Sequence, residues 1–273
     1  MAEQRISRTV IPLLRRDLII ASLKQGERLD GRGLHDLRRI SIRTGYVTKA
    51  EGSAYVELGN TKVIAGIKVA PTNPFPDAPD QGVLIVNAEL SPLASPFFEP
   101  GPPGEEDIEL ARVIDRGIRS APAIDFSKLA IIPGVKVWGV YIDIYPLDFD
   151  GNIMDAAGIA AMAALLTAKV PKVKVEENRF TVLEEFERMP VIRRVAYVSV
   201  AKIGGHLVVD PTLEEEFVCD AKLTFALTEE GHICAIQKSG PGSFTIKEVL
   251  EAQEIAASVA KRIFDVLPPI AQG

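Results

Sequence analysis

Apolar and polar positions alternate with period two through "IRTGYV" (42–47), "GSAYVELG" (52–59), "TKVIAGIKV" (61–69) and "GVLIVNAEL" (82–90). Period two puts successive side chains on opposite faces, so these runs predict strands. Ahead of them the spacing predicts a helix over 8–24, ended by Gly26. A Pro/Gly loop, "PFFEPGPPG", then gives way to a helix from about Glu105 to Ser120, followed by the strand "GVKVWGVYIDIYPL" and a helix of very small residues from Met154 to Ala168. After a break at "KVPKVKVEE" the order repeats. Strands are predicted around "VIRRVAYVSVAKI", "HLVVD", "AKLTFALTEEG" and "HICAIQKS", and a last helix runs from Ile246 to Leu267. Thr245 and Glu248 form its capping box, and Val249, Leu250, Val259, Ile263 and Phe264 its apolar stripe. Strands followed by helices, twice, imply an α+β chain of two similar β-rich halves with packed helices. The division is an N-terminal helical extension over 1–27, a first half over 28–172 and a second half over 173–273 with the C-terminal helix.

Composition narrows the class. With 273 residues and 47% hydrophobic content the chain can bury a large core, and neither disorder nor a membrane span is expected. The two cysteines, Cys219 and Cys234, have no metal-binding spacing and read as reduced thiols in a cytoplasm, and "MAEQRISRTV" does not resemble a secretory leader. A net charge of −6 gives no global attraction to nucleic acid, so any RNA contact must come from local basic patches.

Two stretches carry candidate chemistry. "DIYPLDFDGNIMDAAGIAAMAA" (143–164) joins a strand, a Gly turn and a helix start, a frame whose unpaired N–H groups suit an anion. Its turn nevertheless offers Asn152, Ile153 and Met154 in place of a hydroxyl or a cation, and Asp155 is expected to repel phosphate. In "EEDIELARVIDRGIRS" the apolar Leu110, Val113, Ile114, Gly117 and Ile118 share one face, and Arg112, Arg116 and Arg119 share another. Arg112 and Arg116 are like charges one turn apart, only partly relieved by Glu109 and by an Asp115–Arg119 pair. The acidic run Glu214 to Glu216 reads as a solvated loop. Asp148, Asp150 and Asn152 do not make a calcium loop, because Ile153 and Ile159 stand where Gly and Glu are needed.

The opening "RLDGRGLHDLRRISIRTGYVTKAEGSAYVELGNTKVIAGIKV", with the later "IELARVIDRGIRS", the Gly-turn stretch and "VVDPTLEEEFVCDAKLTFAL", resembles the RNase PH family over about residues 28–267. The likeness is greatest to the non-catalytic RNase PH-like subunits of the archaeal exosome core. That resemblance implies the RNase PH fold. It also implies a six-membered ring around an RNA channel, in which such a subunit alternates with a catalytic RNase PH-like paralogue as a trimer of heterodimers. RNA-binding cap proteins would sit above the ring, with single-stranded RNA as the ligand. The family's reaction is 3′-to-5′ phosphorolysis of RNA. Active members carry an arginine pair before the helix at Glu105, a Gly-[TS]-Arg turn at Gly151, and a catalytic Asp in the late acidic run. Here those positions hold "GEED", Asn152 to Met154, and Glu214 in the catalytic Asp position. No catalytic residue, metal or cofactor is therefore expected, and Arg112, Arg116 and Arg119 are the expected RNA-binding residues. Arg38 and Arg39 are read as supports of the fold or of a subunit contact. Two other readings stay open: an independently active phosphorolytic exoribonuclease using Glu214, and a purely structural scaffold.

Overall fold

A computed structural model describes residues 14–177 and 179–270. Its first sheet is built from β1 (Ile40–Thr44), β2 (Gly52–Leu58), β3 (Thr61–Thr72), β4 (Val83–Ala88), the short β5 (Ala130–Ile132) and β6 (Lys136–Asp148), in the order β1-β2-β3-β6-β4 with β5 beside β6. Of these, only β4 runs parallel to its neighbour. The period-two pattern sets the register: Val56 lies opposite Val63, and Ala54 opposite Ala65, so β2 and β3 bury this face of the sheet. The second sheet is β10 (His206–Val209), β9 (Val195–Ile203), β11 (Ala221–Thr228) and β12 (Ile233–Ser239), in that order and antiparallel throughout.

Among the described residues there are five α-helices: α1 (Arg16–Leu23), α2 (Glu105–Ser120), α3 (Ile153–Thr167), α4 (Leu213–Val218) and α5 (Ile246–Val266). The part of the predicted N-terminal helix over 8–13 lies outside the described residues. Helix α3 packs on β2 and β3 of one sheet and β9 of the other, and it is buried on every side from Ile153 to Leu165. A helix walled all round needs no polar face, which explains its run of alanines; their small side chains let both sheets approach closely. Helix α5 covers β9 and β11, capped as predicted by the Thr245–Glu248 box. Of its predicted stripe, Leu250 faces solvent, and Ala252, Ala256 and Ala260 take the buried positions.

The reading of "KVPKVKVEE" as a break is incorrect. Lys169–Glu176 forms β7, paired antiparallel with β8 (Arg179–Arg188) in a separate hairpin, and the boundary drawn at 172/173 falls inside it. Pro171 disguised the strand; it is tolerated because the register is irregular between Pro171 and Val173.

The side chain that locks the helices together is Tyr197 on β9. Its ring is fully buried, its hydroxyl donates to the Ile114 carbonyl at 2.7 Å, and it fills space left by two glycines. A Cβ on Gly117 of α2 or on Gly158 of α3 would come within 2.3 Å of Tyr197. Gly158→Ala should therefore lower stability by ~1–3 kcal/mol through overpacking, despite the gain of ~1 kcal/mol in helix propensity. Adding Tyr197→Leu to that variant should make the two losses less than additive, as measured by denaturant melts.

Candidate functional site

The Gly turn between β6 and α3 is held by a buried charge network. Gly151 has φ of 83°, and a side chain there would meet the backbone of Pro211 and Thr212 within 2.5 Å, so glycine is required. Arg38 donates to the Asp150 carbonyl at 2.7 Å and the Gly151 carbonyl at 3.1 Å, and its guanidinium grips both oxygens of Asp210 at 2.7 and 3.0 Å. Asp210 is wholly buried in the left-handed region, with φ of 49°. Burial opposes its ionisation, but the Arg38 hydrogen bond and charge, with Asn152, hold it below the usual carboxylate range. Asn152, also left-handed, donates at 2.9 Å to both Asp210 and Asp155.

Asp155 does not face outward, where the sequence reading set it to repel phosphate. It points inward, accepting from the Ser199 amide at 3.0 Å and bonding the Ser199 hydroxyl at 2.7 Å, so it ties α3 to β9. Complete burial, with the negative Asp210 adding to it, pushes its carboxyl up to about 7.

The acidic run is not a solvated loop either. Thr212 and Glu215 make a capping box that starts α4, and each glutamate has its own cation. Glu214 pairs with Arg15 at 2.5 Å, Glu215 grips the buried Arg28, and Glu216 accepts from Lys222 at 2.7 Å. Arg28 also donates to the carbonyls of Val209 and Asp210 at 2.8 and 2.9 Å. Arg38 is thus a support of the fold, while Arg39 is exposed.

The turn opens onto a cleft of about 670 Å³ lined by Phe97, Phe98, Phe149, Ile153, Met154 and Phe217 among others, with Glu106, Glu109, Glu216 and Lys222 as its charged groups. Glu214 is not among its lining residues; the carboxylate of the acidic run that reaches the cleft is Glu216. Burial disfavours the Lys222 ammonium, but Glu216 outweighs that and holds its proton more firmly than usual. Three carboxylates against one ammonium, itself ion-paired, make an environment hostile to phosphate. Nor do these groups fit a divalent ion: Glu216 is taken by Lys222, and Glu109 by Ser239 and Gln237.

On α2 the apolar face is buried as expected, and Arg112 and Arg116 project into solvent. Among the described residues neither has a hydrogen-bond or ion-pair partner, because Glu109, expected to relieve them, is turned toward β12. Arg119 is held at 2.7 Å by Asp115 and donates to the Leu84 carbonyl at 3.0 Å. The structure therefore separates the three: two uncommitted cations and one structural arginine. Asp210, Arg28, Ser199 and Lys222 were not singled out from sequence, although Thr212 and Glu215, three apart, are a readable capping box.

The Asp155 carboxyl generates a pH prediction. Unfolded, it loses its proton near 3.8; folded, it keeps it to about 7. Between those values the folded state binds the extra proton, so this group's contribution to stability falls as pH rises. Asp155→Asn, which mimics the protonated form, should gain on the parent across that interval by up to roughly 4 kcal/mol, read from urea melts from pH 4 to 8.

The profile of the 3′ exoribonuclease family, domain 1 (RNase PH), matches residues 36–171, and that of its domain 2 matches residues 194–259. The chain is 53% identical over 256 residues to the exosome complex component Rrp42 of Pyrococcus abyssi, covering 93% of each chain, and 47% identical over 263 residues to that of Sulfurisphaera tokodaii, covering 96% of each. It superposes on a chain of the Archaeoglobus fulgidus exosome with RNA bound to the active site, with a TM-score of 0.87 and 43% identity, over 94% of this chain and 98% of that one. Rice Rrp46, at 18% identity and a TM-score of 0.67, shares the fold. Both domain profiles in order and identity near one half over almost the full length establish that this chain belongs to the RNase PH family of 3′ exoribonucleases.

Proposed function

We propose that the chain is the non-catalytic subunit of an archaeal exosome ring. It alternates there with a catalytic RNase PH-like paralogue as a trimer of heterodimers, under RNA-binding cap proteins, in the cytoplasm. The names of its relatives support an exosome role. The observation that carries the non-catalytic reading is the state of the cleft beside the Gly turn. Phosphorolysis brings an anionic phosphate against an anionic phosphodiester, so its main requirement is fixed positive charge at the reacting groups. This cleft supplies Ile153 and Met154 at the helix start and a lysine already neutralised by Glu216. No step of the reaction can be assigned to these residues.

What the chain contributes is positive charge elsewhere. Arg112 and Arg116 stand on the outer face of α2 without partners among the described residues, suited to RNA phosphates without regard to sequence. They help to hold the strand for the neighbour's active site. Arg119, engaged with Asp115, keeps α2 against β4 and contributes to that surface at most indirectly.

Mixed with a catalytic paralogue, the chain should form an equimolar complex with phosphate-dependent RNA decay, while the purified chain alone with RNA, phosphate and Mg²⁺ should release no nucleoside diphosphate. Release abolished by Glu214→Ala or Glu216→Ala would establish the independently active enzyme instead. Arg112→Glu with Arg116→Glu should leave the complex intact, weaken RNA binding and reduce its salt dependence, by ~0.7 in slope for each phosphate of the single strand that is no longer neutralised. Unchanged binding would establish the purely structural scaffold.

A further inference from the structure

The turn between β1 and β2 carries an aromatic cluster on the face of the first sheet that points away from the core. The register sets Arg43 directly opposite Tyr55, and the Arg43 guanidinium lies over the Tyr55 ring, 5.0 Å from its centre. The Tyr46 ring stacks on Tyr55 at 5.1 Å, inclined by 21°. Both rings are held in place. Gly45 takes φ of 69°, its amide donates to the Ser53 carbonyl at 2.8 Å, and the Val47 amide donates to the buried Ser53 hydroxyl, also at 2.8 Å. The Tyr55 hydroxyl donates to Glu57 at 3.0 Å. Tyr55 is buried under this cover, whereas Tyr46 is 53% exposed. A ring already fixed in a stack takes a further planar group at little cost in side-chain entropy.

The surrounding charge indicates what that group belongs to. The two carboxylates beside the cluster are engaged: Glu57 by Arg43 and Tyr55, and Glu51 by Lys68 and the Val69 amide. Lys49 lies in the same turn, and Lys169 adjoins it, its amide donating to the Glu51 carbonyl at 2.9 Å. Both side chains are exposed, and among the described residues neither ammonium has a hydrogen-bond or ion-pair partner. On a chain of net charge −6, an ordered aromatic ring flanked by uncommitted cations suits a ligand that is planar and anionic by turns, which describes a single strand of nucleic acid. The cluster is also distant from α2. That helix packs on β4 at one edge of the sheet and the cluster sits on β1 and β2 at the other, roughly 19 Å away across four strand spacings.

We propose that this turn is a second contact for single-stranded RNA, with a base laid on the exposed side of Tyr46 and the adjoining phosphates against Lys49 and Lys169. The inference rests on the reading of the chain as an RNA-binding subunit, and adds a grip on bases to the grip on phosphates that α2 offers. The full-length chain is titrated with a fluorescein-labelled oligoadenylate and binding is read by anisotropy. Tyr46→Leu, which keeps an apolar cover on Tyr55, should weaken binding roughly five-fold or more without changing its salt dependence, while Tyr46→Phe should bind as the parent does. Against an abasic oligomer of the same length, the parent and Tyr46→Leu should bind alike. Lys49→Ala with Lys169→Ala should lower the salt slope by ~0.7 for each phosphate released. Binding that Tyr46→Leu leaves unchanged while Arg112→Glu with Arg116→Glu weakens it would overturn this proposal and spare the RNA role of α2. Binding that neither set alters, or no binding by the parent, would sink both. Loss of assembly with the catalytic paralogue in Tyr46→Leu, with RNA binding intact, would make the cluster a protein contact and overturn the proposal as well.

Discussion

The structure depends on one buried ion pair, Arg38 with Asp210. Two charges out of water are stabilised only when their remaining hydrogen-bonding capacity is filled, and here it is. Arg38 spends its other donors on the turn carbonyls, while Asp210 takes Asn152 and a second arginine, Arg32, at 3.0 Å. The pair joins three segments far apart in sequence: the N-terminal loop, the turn before α3 and the loop after β10. Removing Asp210 takes the carboxylate from both Arg38 and Arg32, a loss on the order of 3–5 kcal/mol, large against the whole stability of a domain, whereas removing Arg38 leaves Asp210 still paired with Arg32.

The same pair clarifies what became of the phosphate frame. A turn used for anion binding needs its amides and a cation aimed outward, toward a ligand. In this chain the cations around the turn are aimed inward, at Asp210 and Glu215, and at the mouth of α3 two apolar side chains line the opening. The frame survives because it carries the junction between the sheets, a structural task that is independent of whether phosphate ever binds. Free positive charge is found one helix away, on α2, whose inner face is fixed by Tyr197 and whose outer face is unconstrained by packing.

Strand β3 and the long amphipathic helices were readable because each is one-sided, and a one-sided element writes its environment into its own spacing. Helix α2 matched its predicted ends for this reason. The hairpin β7–β8 was not readable as a unit: it belongs to neither sheet, much of it is exposed, and a proline interrupts its alternation. The site was legible in type but not in geometry. That the turn lacks a cation is plain from Asn152, Ile153 and Met154. That Asp155 points at Ser199, that Glu109 turns from Arg112, and that Glu214 and Glu215 meet arginines nearly two hundred positions away are consequences of long-range packing, which local spacing does not encode.

Helix α3 has a consequence for how the chain is made. It ends at Thr167, whereas β9, one of its walls, begins only at Val195, beyond the β7–β8 hairpin. A ribosome therefore delivers a helix with no polar face well before the surface that shelters one side of it. Until β9 arrives, the first half carries an exposed apolar ridge and the nascent chain is at its most adhesive. The β7–β8 hairpin, rich in lysines and glutamates, is what emerges in that interval.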